Sequence, residues 1–110
     1  MSKTIDTTIH TDGIATRDAD ARTILAQIGT LTLMSLGARE IVNLGCGIRF
    51  NVGRGKSRKM IVKLAANDTY AVEVVRLRRD FTAVSEFHTD GIYCDQLAEI
   101  LLHAADECWG

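Results

Sequence analysis

The chain has 110 residues and a net charge of −1. Of its residues, 46% are hydrophobic and 25% are charged, and the mean hydropathy is +0.05. This length and composition are typical of one soluble globular domain. It has no proline and no apolar run near the roughly 18 residues of a membrane span, which excludes proline-rich linkers and membrane proteins. Met1 leads into no secretion signal, and three cysteines without a CxxC pair are typical of free thiols, so we expect a cytoplasmic protein.

Charge is distributed unevenly along the chain. Residues 39–63 contain seven basic side chains against Glu40 alone, a net charge of +6. Residues 90–110 contain five acidic side chains and neither Lys nor Arg. Segregated charge of this kind bears on binding partners rather than on the fold.

The first 15 residues are polar and have no regular spacing of apolar residues, so we expect an N-terminal arm at 1–15 and a single domain over 16–110. Thr16 or Asp18 is predicted to cap a first helix, and Gly29 is predicted to end it. Four apolar residues form the stripe of that helix: Ala21, Ile24, Leu25 and Ile28.

The stretch after this helix favours strands. Residues 30–33 alternate between Thr and Leu, which predicts a strand that bends at Gly37. Two further strands are predicted over 41–44 and 48–52, and the glycine-rich basic segment 53–59 predicts a flexible loop.

Residues 60–88 predict three antiparallel strands joined by tight turns, around which the rest of the chain is arranged. Asn67 and Asp68 provide the first turn, because both tolerate left-handed backbone. Alternation assigns Met60, Val62 and Leu64 to one face, together with Tyr70, Val72 and Val74. It assigns Ile61, Val75 and Val84 to a second apolar face that needs cover.

The last predicted element is an amphipathic helix that begins near Asp90, with Tyr93 in the core and Trp109 as a candidate for an exposed contact. Its apolar stripe comprises Tyr93, Leu97, Ile100, Leu101, Ala104 and Cys108. The predicted fold is therefore α+β: an N-terminal helix, an antiparallel β-meander of four to six strands and a C-terminal amphipathic helix packed on the sheet. Open sheet edges and the second apolar face predict a homodimer.

Five segments occur in a distinctive order: ILAQIG, LTLMSLGAREIV, IRFNVG, IVKLAANDTYAVEVVRLRR and DGIYCDQLAEIL. In that order they resemble an uncharacterised family of small accessory proteins encoded by bacteriophages, prophages and related mobile elements. The resemblance covers residues 23–101 and is most specific over 61–76. It implies a bacterial host cytoplasm and a phage accessory role, and it offers no active site to transfer. Such proteins often have a proline before the Asp-Thr-Tyr turn, where this chain has Ala66 and Asn67.

The loop GRGKSRK lacks the spacing of a nucleotide-binding loop, and no helix follows it to hold a phosphate. Its basic side chains suit nucleic-acid phosphates or an anionic protein, although a solvated loop needs no ligand. Arginines of the next turn add to this surface if both turns lie at the same end of the sheet. The candidate anion- or partner-binding residues are Arg54, Lys56, Arg58, Lys59, Arg76, Arg78 and Arg79.

No catalytic, cofactor or metal motif stands out, and we predict none of the three. The histidines share no ligand spacing with the cysteines, and Cys46, Cys94 and Cys108 are predicted to be buried or partly buried thiols. The leading hypothesis is a non-enzymatic phage-type accessory protein that binds a host or phage macromolecule, most simply a protein, and modulates host processes or a defence system. The alternatives are a nucleic-acid-binding module that uses the basic loop and, more remotely, a small hydrolase or transferase.

Overall fold

A computed structural model describes residues 15–53, 58–80 and 82–109, without the side chain of Trp109. In this part of the chain, α-helices pack on one face of a five-stranded antiparallel sheet, which confirms the predicted α+β class and the C-terminal helix on the sheet. The helices are α1 (Ala21–Ile28), α2 (Thr30–Leu36) and α3 (Leu97–Trp109), with a 3₁₀ turn at Cys94–Gln96 before α3. The strands are β1 (Arg39–Asn43), β2 (Gly47–Asn51), β3 (Arg58–Leu64), β4 (Tyr70–Leu77) and β5 (Ala83–Ile92). The predicted arm lies outside the described residues except for Ala15.

Strand order in the sheet follows chain order, β1-β2-β3-β4-β5, and every neighbouring pair is antiparallel. The predicted β3–β4 hairpin is confirmed, with an unbroken register from Arg58 opposite Arg76 to Leu64 opposite Tyr70. Asp68 has a φ of 68°, the left-handed backbone that its turn requires.

The core lies between the helices and one face of the sheet. Alternating strand residues point towards the helices, and the apolar stripes of the helices face them. The fully buried members from the strands are Ile48, Phe50, Met60, Val62, Val72 and Val74, and those from the helices are Ile24, Ile28, Leu36, Leu97, Leu101 and Ala104. Tyr70 ties α1 to β4, because its hydroxyl donates a 2.6 Å hydrogen bond to Gln27 Oε1. Burial, and then the charge of Cys94, raise the pKa of Tyr70, and the Gln27 contact opposes them.

The start of α1 differs from the prediction. Asp20 caps the helix, with its Oδ1 accepting from the Arg22 amide at 3.1 Å, so neither Thr16 nor Asp18 is the cap. Thr16 instead pairs with Ala65 in an isolated antiparallel bridge that extends β3. Thr16, Asp18 and Asp20 are all short polar residues of the kind that caps helices. Because Thr16 is docked on the sheet, the helix begins later and Asp20 caps it.

The strand predicted over residues 30–33 is wrong, because this segment belongs to α2. The Thr-Leu alternation also fits a short helix in which Leu33 and Leu36, three residues apart, face the core. Gly29 and Gly37 bound α2 with φ values of 89° and 66°. Gly37 therefore ends a helix where we predicted a bend between strands.

The predicted helix near Asp90 begins later than its apolar pattern suggests. β5 continues to Ile92, which pairs with Tyr70, and α3 starts only at Leu97 after the 3₁₀ turn. Tyr93 is 62% exposed instead of lying in the core. The register of β5 with β4 overrides the helical spacing over these residues.

A β-bulge in β5 changes the predicted faces of its residues. Val74 lies opposite Phe87 while Val75 lies opposite Ser85, so Glu86 is the extra residue. Val84 lies opposite Arg76 and so shares the helix-facing side, which corrects its assignment to the second face. The bulge also turns Glu86 towards Arg58 and Arg76 on that side.

Candidate partner-binding surfaces

Four of the predicted basic residues lie at one end of the sheet. Because Arg58 pairs with Arg76, the start of β3 and the β4–β5 turn lie at the same end of the sheet. We call this region the basic end; its described members are Arg58, Arg76, Arg78 and Arg79. Arg54 and Lys56 lie outside the described residues.

Two of these arginines share one carboxylate. Glu86 Oε1 lies 2.8 Å from Arg58 Nε, and Glu86 Oε2 lies 3.0 Å from Arg76 Nε. The last turn of α3 lies close to this cluster. Burial and the Glu86 carboxylate raise the pKa of Cys108, and Arg58 acts against them. A pair of cations joined to Glu86 is partly neutralised before any partner arrives.

The β4–β5 turn presents two exposed arginines. An open depression of about 530 Å³ is lined by Arg76, Leu77, Arg78, Arg79 and Asp80. The hydroxyl and amide of Thr82 both donate to Asp80 Oδ1 and lower the pKa of that carboxyl. The turn therefore carries a fixed negative charge beside its arginines.

Lys59 is not part of the basic end. It belongs to the second face of the sheet, the face turned away from the helices, where its Nζ donates a 2.7 Å hydrogen bond to Asn51 Oδ1. Asn51 in turn donates to Glu40 Oε2. The predicted basic residues thus divide between both faces and a turn, and do not form one convergent anion site among the described residues.

The sequence prediction missed a second candidate surface, formed by α2 and β1. Leu31 and Met34, one helical turn apart on α2, are 80% and 71% exposed, and Ile41 and Val42 on the edge strand β1 are 43% and 39% exposed. We call Leu31, Met34 and Ile41 the α2–β1 surface; Val42 lies opposite Arg49 and so belongs to the second face of the sheet. The sequence does show many apolar residues over 30–42. Because we assigned residues 30–33 to a strand, we did not recognise this surface.

β1 carries a feature that protects an open edge. Its pairing with β2 shifts register between Arg39 and Val42, and Glu40 has a φ of 54°, rare for a residue with a side chain. The Glu40 contact with Asn51 holds this kink in place. Irregular edge strands are less able to pair with further strands, so β1 favours contact through its side chains.

The three cysteines form no disulfide with one another, and the predicted burial of all three is wrong for Cys94. Cys94 is exposed in the 3₁₀ turn because β5 displaces the start of α3, whereas Cys46 and Cys108 are partly buried.

We expect Cys94 to react with a thiol reagent at least about tenfold faster than Cys108 in the native protein at neutral pH, because thiol reactivity follows exposure and thiolate content. Burial and Glu86 keep the Cys108 thiol protonated. Mass spectrometry of protein treated briefly with N-ethylmaleimide identifies the modified site, and a Cys94→Ser variant is the control. Equal labelling of the two residues, or slower labelling of Cys94, would contradict this assignment.

A scan against protein-family models, a search of the curated proteins and a search of the solved structures each found no match to this chain. None of the helices in the described part of the chain is long and apolar enough to cross a membrane. Functional inference therefore depends on the surfaces themselves.

Proposed function

We propose that this protein acts by binding a protein partner through the α2–β1 surface. The observation that carries the proposal is the exposure of Leu31 and Met34 on neighbouring turns of one short helix. Single exposed apolar side chains are ordinary, whereas a group of them on adjoining elements is typical of an interaction site. Burying such side chains against a partner supplies the main driving force of protein association.

The resemblance of residues 61–76 to phage-encoded proteins supports a partner in a bacterial cell and an accessory role for the protein. A host enzyme or a component of a defence system fits this proposal. A second copy of the chain is the other protein partner that the same apolar surface suits, and the experiment below separates the two.

Nucleic-acid binding is the second candidate, and the position of Arg58 at the same end of the sheet as the arginines of the β4–β5 turn favours it. The charge around that end argues against it. Glu86 neutralises part of Arg58 and Arg76, Asp80 lies in the turn, and α3 ends nearby with Asp106 and Glu107. A phosphate backbone meets both signs of charge there, whereas a protein partner can use both.

The test is capture from a bacterial lysate by the tagged protein, compared with the double variant Leu31→Ser, Met34→Ser. We expect the variant to lose the captured protein and keep its fold, because both side chains are mostly exposed and contribute little burial. An apolar interface should persist from about 50 to 500 mM salt, whereas phosphate contacts weaken steeply over that range.

Tyr93→Ser is the matched control, because it also removes a large exposed side chain while the hydrogen bonds between the Tyr93 backbone and Gln96 do not depend on that side chain. It should retain the captured protein. Capture that disappears on nuclease treatment and survives the double variant would replace this proposal with nucleic-acid binding. If sedimentation shows a dimer that the double variant dissociates, the surface joins two copies of the chain and no host partner uses it.

A further inference from the structure

The second face of the sheet carries a groove that the α2–β1 surface does not include. The groove has a volume of about 190 Å³. Its walls come from three adjoining strands and from β5: Arg49, Lys59, Ile61, Val75, Leu77 and Ala83. Ile61 and Val75 are 5% exposed and form the floor, so the inside of the groove is mainly apolar although it lies away from the helices.

The registers explain why two cations border this apolar floor. Arg49 lies opposite Ile61, and Lys59 lies opposite Val75, so each long basic side chain stands beside a buried aliphatic one. Their aliphatic stems add to the apolar wall while their charged groups reach the rim. The groove is therefore amphipathic, with positive charge on one side only among its lining residues.

The two cations are not equally engaged. Lys59 Nζ is held by Asn51 Oδ1 at 2.7 Å, which fixes its position. The Arg49 guanidinium makes no hydrogen bond or ion pair with any described residue. A planar guanidinium offers paired donors that match the two oxygens of a carboxylate. Arg49 is thus available to an anion whose apolar part lies in the groove.

We propose that this groove binds a small monocarboxylic acid with an aromatic or branched apolar body. A cavity of about 150 Å³ is known to hold a benzene ring, so 190 Å³ suits one ring with a short acidic substituent. The ring packs on Ile61 and Val75, and the carboxylate lies between the Arg49 guanidinium and the Lys59 ammonium. The charge of the rim selects the acid over its neutral analogues, and the small volume excludes long acyl chains.

The experiment is a titration of isotopically labelled full-length protein with phenylacetate, followed through the methyl signals of Ile61, Val75 and Leu77. We expect saturable shifts at these methyls, in the roughly millimolar range that a ligand of this size commonly reaches. Phenylacetamide has the same shape without the charge and should bind at least about tenfold more weakly, because it loses the charge-assisted contacts. Acetate carries the charge without the ring and should leave the methyl signals unchanged.

Two variants test the assignment from different directions. Arg49→Gln keeps most of the stem, removes the charge and should weaken phenylacetate binding about tenfold. Ala83→Leu fills the groove and should abolish binding without changing any charge. Arg22→Gln, an exposed arginine on α1, is the matched control and should bind as the unmodified protein does.

Equal binding of phenylacetate and phenylacetamide, or shifts that Arg49→Gln leaves unchanged, would overturn the proposal. Shifts that grow linearly without saturation would do the same, since they indicate non-specific contact. If N-acetylglycyl-phenylalanine binds more tightly than phenylacetate, the groove accepts the carboxyl terminus of a peptide chain and the assignment to a free acid is wrong.

Discussion

Gly47→Ala is expected to destabilise the protein by about 3 kcal/mol, because overpacked sites cost roughly this much when the neighbouring atoms cannot move aside. A Cβ at Gly47 would lie 2.0 Å from the Val62 carbonyl oxygen and 2.7 Å from Lys63 Cα. These are backbone atoms of the neighbouring strand, so no rotamer change relieves the contact. β2 must move away from β3, and β2 carries the fully buried Ile48 and Phe50.

Chemical denaturation measures the loss, and the thermal midpoint should fall by roughly 15 °C for a domain of this size. Gly45→Ala is the matched control in the same β1–β2 turn. A Cβ there meets nothing within 4 Å, and the cost comes only from its φ of 85°, about 1 kcal/mol. If Gly45→Ala destabilises the protein as much as Gly47→Ala does, the close approach of β2 to β3 does not explain the loss of stability at Gly47.

Glu86→Gln is expected to increase affinity for DNA by about tenfold at low salt and to steepen its salt dependence, because it removes the carboxylate that offsets the charges of Arg58 and Arg76. Glu86 lies 2.8 Å from Arg58 and 3.0 Å from Arg76, and the substitution removes its negative charge beside both. Stability should fall by about 2 kcal/mol, since water screens the pair with Arg76, which is 44% exposed, but screens the pair with Arg58 less, at 27% exposed. Cys108 should also react faster, because one of the groups that raise its pKa is gone.

Electrophoretic shifts at about 50 and 150 mM salt measure the change in DNA affinity, over a range where phosphate contacts weaken strongly. Glu99→Gln removes the same charge from an exposed site in the first turn of α3, at the opposite end of that helix from Cys108, and so controls for net charge alone. If both variants bind DNA equally, Glu86 does not restrain the basic end. If neither variant binds DNA at the lower salt, the second candidate function is excluded.

Alternation and turn chemistry were sufficient to predict β3, β4 and their turn. Residues 60–77 show a two-residue period over long stretches, and Asp68 occupies the left-handed position that Asn and Asp tolerate. The four residues 30–33 are too few to separate a strand from a helix, and the docking of Leu36 in the core decides for α2. The structure of a short segment depends on tertiary contacts, which the spacing of its apolar residues does not reveal.

The candidate sites were harder to predict than the fold. Neighbouring basic residues in the sequence suggested one surface, but the strand pleat sends Arg58 and Lys59 to opposite faces. A single extra residue in β5 brings Glu86 to the two arginines, and no local pattern marks such a bulge. The groove beside Arg49 depends on strand registers, which become visible only when the strands are paired.

The order of strands in the sheet has a consequence for how the chain acquires its structure. Because every strand pairs with the one before it, most sheet contacts are local in sequence, and such topologies close their loops at low entropic cost and fold rapidly. The helices α1 and α2 leave the ribosome first, yet each has only two turns and is unstable alone. They acquire stability only when β2 and α3 are in place, since α1 packs on both and α2 packs on α3. Synthesis must therefore reach α3 before the amino-terminal helices have all of the elements that they pack against.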